Sequence, residues 1–177
     1  MRAGVLFALF AIVALLLQTS VLPRAATILP RSALGRPTPD LLLIMCVYLG
    51  LHQHTVGGAV GAFFLGYLED AFSGSALGLN AFGMCLVFTI VYLTSRRLWV
   101  DNAISKVVLV FLASVLKTLA VLGLVAVFRP EEGLSNSVPR YVLIEAMLVA
   151  VLAAVLSPPI FAVLAYTEEL PEEEEEE

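Results

Sequence analysis

Charge, histidine and cysteine are all scarce in this sequence. Only 14 % of its 177 residues are charged, while 60 % are hydrophobic. Soluble domains carry about 25 % charged and roughly 45–50 % apolar residues. A chain this short of charge cannot cover a water-facing surface, and lipid is the natural solvent for its apolar excess. The only histidines are His52 and His54, which at i and i+2 would lie on different sides of a helix. The two cysteines, Cys46 and Cys85, both fall inside apolar runs. Neither set gives a metal-ligand spacing or a disulfide framework. Phosphate-loop and serine-nucleophile patterns are absent as well. The sequence therefore predicts no catalytic residue, no metal ligand and no cofactor. A basic stripe is also missing, which excludes nucleic acid as a partner.

The charge that is present is unevenly placed. Of fifteen acidic residues, eight lie between Glu168 and Glu177, which leaves seven acids against ten bases in the rest. The net charge of −5 thus hides a mildly basic body, the usual state of a membrane protein whose cytoplasmic loops collect Lys and Arg. Six successive glutamates, Glu172 to Glu177, repel one another and predict a disordered acidic tail over 168–177. Residues 1–167 are expected to form a single membrane-embedded helical domain.

Long uncharged runs mark the spans of an all-α polytopic membrane protein. Ala3 to Leu22 would extend about 30 Å as a helix, the thickness of a bilayer's hydrocarbon. It is longer than the apolar core of a secretory signal and is expected to be a retained helix. Pro23 to Asp40 is a linker with four prolines and three arginines. Asp40 to Asp70 would measure about 46 Å as one helix, too long for a single span without strong tilt. A hairpin is expected instead, with legs Leu41–Leu51 and Thr55–Leu68 and a turn at His52–His54. Further spans are expected at Ala76–Thr94, Val107–Phe128 and Tyr141–Tyr166, the last kinked or ended by Pro158-Pro159. The total is about six. Inner and outer segments hold four and five basic residues respectively, so the positive-inside rule is nearly silent. The Arg96, Arg97 and Lys106 loop and the chain start place both termini in the cytoplasm, with Glu69 and Asp70 outside.

Lys117 is the sharpest single residue, because a charge in mid-span costs about 2.5–3.5 kcal/mol to insert. It needs a partner, and Glu145 on the next, antiparallel helix is the expected one. The pair would hold two helices in register or offer a polar site to a partner helix or ligand. Asp70, before the turn Ser73-Gly74, is expected to cap the following helix or bind a loop amide.

A linked series of motifs is more specific than any of these. Arg36-Pro37-x-Pro39-Asp40 precedes Leu41-Leu42-Leu43 and Tyr48-Leu49-Gly50-Leu51. Then come Gly58, Gly61, Gly66 and Asp70, and finally Ser73-Gly74 with Gly78 and Ala81. The series resembles the rod shape-determining MreD family. The resemblance implies a non-enzymatic component of the bacterial inner membrane that supports lateral peptidoglycan synthesis and rod shape. It implies MreC as the direct partner, with MreB, RodA and the elongation transpeptidase in the same complex, all embedded in or beside membrane lipid. It also implies a fold similar to the six-helix substrate-binding subunit of energy-coupling-factor transporters. By position, Arg36, Pro37, Asp40, Gly58, Gly61, Gly66, Asp70, Gly74 and Gly78 would be fold and partner-surface residues. A small-molecule-binding subunit of a vitamin-type transporter is the alternative. Tyr48, Asn80 and Tyr141 are the scattered polar and aromatic groups it would have to gather.

Overall fold

A computed structural model describes residues 2–21, 39–53, 56–73, 77–97, 102–128 and 138–168. The described residues form six helices: α1 (Arg2–Leu16), α2 (Leu41–His52), α3 (Val56–Ser73), α4 (Leu79–Arg97), α5 (Ala103–Phe128) and α6 (Val138–Glu168). A π-helical turn, Leu17–Val21, continues α1. The linker with Arg36 and Pro37, the residues His54, Gly74 and Trp99, and the acidic tail from Glu169 onward lie outside the described residues, whereas Glu168 is the last residue of α6.

α2 is the hub. Its residues Leu42 to Gly50 are all buried, and it touches each of the other five helices. A helix apolar on every side has no face to offer water and is most stable fully enclosed. α1 contributes Ala11, Ala14 and Leu15 to the same core. The expected hairpin is present as two separate helices: α2 ends at Gln53, whose extended backbone (φ −104°, ψ 107°) breaks the helical path. α3 then returns beside α2 and packs along α4.

Glycines set the closest approaches. A methyl group on Gly66 would lie 2.5 Å from the Ala81 Cα and 2.7 Å from the Ala81 nitrogen, so α3 and α4 are in backbone contact there. Gly58 faces the Phe88 ring, and Gly50 faces Val91. Small residues at such crossings are the membrane-protein route to tight packing, where apolar burial alone gives no drive between helices.

α5 and α6 are the long apolar pair. Ala103–Val127 and Ile144–Ala165 are each long and apolar enough to cross a membrane. Most residues of each are exposed or half-buried, so neither is the enclosed core helix of a soluble protein. Val108, Leu112, Leu119, Val151, Val155 and Val163 lie exposed along them. Apolar surface on this scale makes lipid its solvent. α1, α2 and α4 are apolar but shorter.

Pro158-Pro159 does not end α6, which runs unbroken through both to Glu168. Proline at 158 removes the amide that would donate to the carbonyl of Ala154. The buried Ser157 hydroxyl donates to that carbonyl instead, at 2.8 Å. Serine side chains re-satisfy freed backbone groups in this way where water is absent.

Candidate functional site

Three helix ends and the middle of α5 converge on one buried polar cluster. It begins with Asp40, the N-cap of α2. The first amides of a helix lack intrahelical partners. Asp40 Oδ1 accepts from the Leu43 amide at 2.9 Å, and Gln18 Oε1 accepts from the Leu41 amide at 3.2 Å. The π-helical turn after α1 and Asp40 therefore jointly finish the start of α2. The second Asp40 oxygen accepts from Lys117 Nζ.

Lys117 reaches this point from α5, its stem lying over Gly83 of α4. The same ammonium donates to both Glu69 oxygens at 2.7 Å. The side chains of Lys117, Asp40 and Glu69 are only 8 %, 11 % and 16 % exposed. One lysine thus ties α2, α3 and α5 together through two carboxylates.

Asp70 adjoins Glu69 but turns to a different task. Its carboxylate accepts from the amides of Gly78, Asn80 and Ala81 and from the Asn80 side chain, at 2.9–3.1 Å. Those amides open α4, and a carboxylate at a helix N-terminus also gains from the helix dipole. Gly78 has φ +101°, a left-handed conformation that an L side chain rarely adopts. The turn can fold back over Asp70 because that position is glycine. Glu69-Asp70 is therefore a double clamp, one carboxylate for α5 and one for α4.

The expected pairing of Lys117 with Glu145 is corrected by this geometry. α5 and α6 do pack side by side, but the ion pairs of Lys117 are with Asp40 and Glu69. The physical reason is the face. α5 turns Lys117, Ala113 and Val110 inward toward the hub, and Lys117 joins the N-terminal end of α2. Glu145 lies half-buried on α6 and has no ion pair among the described residues. The sequence places the two carboxylates near each other but gives no sign that Lys117 joins them. Asp40 directly precedes an apolar helix, and Glu69 ends a leg antiparallel to it, so both lie at one end of the hairpin.

Of the other family-pattern positions, Gly58 and Gly66 are buried in packing and Gly61 lies against Leu49. The groups that a small ligand would need are engaged elsewhere. Asn80 is held by Asp70, and Tyr48 stacks on His52 and against Phe161. The side chain of Tyr141 lies outside the described residues. Cys46 is buried and donates to the Met84 carbonyl.

Described residues that are helical almost throughout, two long apolar helices with exposed faces, and a polar cluster that joins helix ends define a helical membrane protein. The chain belongs to the family of the rod shape-determining protein MreD, whose match covers residues 2–167 and so takes in all but the last residue of the six helices. No curated protein and no solved structure matches it. Membership in this family gives the protein a role in rod shape determination.

Proposed function

We propose that the protein is a non-enzymatic, multi-pass scaffold of the bacterial inner membrane. It supports lateral peptidoglycan synthesis as part of the elongation machinery. The family match over nearly the whole helical chain carries this reading. MreC is its direct partner, with MreB, RodA and the elongation transpeptidase in the same assembly. Both termini face the cytoplasm. The six helices adopt a fold similar to the substrate-binding subunit of energy-coupling-factor transporters, used here to hold partner helices rather than a vitamin. The cluster chemistry supports the scaffold reading: Asp40, Glu69, Asp70 and Lys117 spend their polar atoms on one another and on helix ends. Depletion in a rod-shaped host is expected to round the cells, with rescue by this chain and co-purification of MreC. Normal rods after depletion, or rescue without any MreC association, would overturn the respective half of the proposal.

A further inference from the structure

Among the described residues, the buried cluster is short of positive charge. Lys117 faces Asp40 from α2 and Glu69 from α3, and the third carboxylate, Asp70, is adjacent on α3. α4 brings the Asn80 amide but no charge to this point. With every carboxyl ionised, the Asp40–Glu69–Lys117 group carries −1 inside an apolar bundle, where an unbalanced charge is expensive. Two carboxylates that share one site do not readily both stay ionised.

The three carboxylates are unequally supported. Asp70 accepts four N–H bonds and sits at the N-terminus of α4. Asp40 accepts from the Leu43 amide as well as Lys117 and sits at the N-terminus of α2. Among the described residues, Glu69 has Lys117 alone. It also lies near the C-terminal end of α3, where the helix dipole disfavours a negative charge. Among the described residues no group of three or more acidic, histidine or cysteine side chains could hold a metal ion.

We propose that this cluster is a proton-binding site, with Glu69 holding one proton that brings the buried group to neutrality. The proton comes from water. An O–H bond forms on one Glu69 oxygen, Lys117 keeps all three of its own protons, and Lys117 continues to donate to Asp40 and to the other Glu69 oxygen. The α2–α3–α5 junction then carries no net charge into the bundle.

Infrared difference spectroscopy on the full chain in lipid nanodiscs tests this between about pH 6 and 8, where solvated carboxyls of pKa about 3.9–4.3 are ionised. A protonated-carboxyl band is expected in the wild type. It should be lost in Glu69→Gln, which keeps the side-chain shape and an acceptor for Lys117, and kept in Asp70→Asn. In the unmutated chain, the band should shift when glutamate is labelled with carbon-13 and stay in place when aspartate is labelled. The labelling separates glutamate from aspartate even where a variant fails to fold, and Glu145→Gln, at the half-buried glutamate of α6, should leave the band in place. Absence of the band overturns the proposal, as does a band that follows the aspartate label or survives in Glu69→Gln.

Discussion

Lys117 shows how much one residue can hold. Removing one partner from a buried ion group leaves the others unpaired and costs about 3–5 kcal/mol, whereas replacing the whole group by neutral side chains is often tolerated. Lys117→Met should therefore lower the thermal midpoint of the purified protein sharply. Lys117→Met combined with Asp40→Asn and Glu69→Gln should recover much of it, and equal loss in the single and triple variants would rule out an ion-group origin. Glycine gives a second contrast. A methyl at 66 would collide with the Ala81 backbone, while one at Gly123 meets nothing within 4 Å. Overpacking costs about 1–3 kcal/mol, and Ala exceeds Gly in helix preference by about 1 kcal/mol. Thermal unfolding should thus place Gly66→Ala well below wild type and Gly123→Ala at or above it. Much of this scale is legible in the sequence. An uncompensated mid-span lysine demands a partner, and Asp70 before Ser73-Gly74 reads as a cap. The identity of the lysine's partner was not legible, because helix neighbours in sequence share a boundary but not a face. Glu145 is on the adjacent helix, yet Lys117 turns to the hub.

At the scale of elements, a gap in a helix can be answered by a nearby side chain. α6 runs through two prolines, and Ser157 occupies the carbonyl that Pro158 cannot serve. The sequence pattern alone predicts a kink or an end at the proline pair, and the compensating serine next to it is the signal that the helix continues. Ser157→Ala leaves a buried acceptor unsatisfied, a loss of about 1–3 kcal/mol. It should lower the thermal midpoint, while the same change at the exposed Ser105 should not. The division of the 40–70 region into two helices is legible from length alone, since one helix would overrun the bilayer. The hub role of α2 is not. In a chain where most helices are apolar all round, uniform hydrophobicity cannot single out the enclosed one. α2 is distinguished by what caps it, Asp40 and Gln18.

At the scale of the whole molecule, the proposed orientation makes α4 the decisive element. Its 19 residues extend about 28 Å, close to the hydrocarbon thickness, and link the turn at Leu77-Gly78 to Asn102 before α5. Arg96 lies near its far end with its guanidinium 5.0 Å from the Tyr92 ring centre, an arrangement suited to the headgroup level. If α4 crosses and Arg96 faces the cytoplasm, Leu77 and Asn102, both exposed, stand on opposite sides of the membrane. With Cys46 and Cys85 replaced by alanine, single cysteines at these two positions can be probed with a membrane-impermeant maleimide on cells whose outer barrier is opened. Leu77→Cys should react before the inner membrane is lysed, and Asn102→Cys only afterwards. The reverse order would invert the orientation and put the Glu69–Asp70 end of α3 in the cytoplasm. Equal reaction of both positions from one side would remove α4 from the list of crossing helices and with it the six-span arrangement.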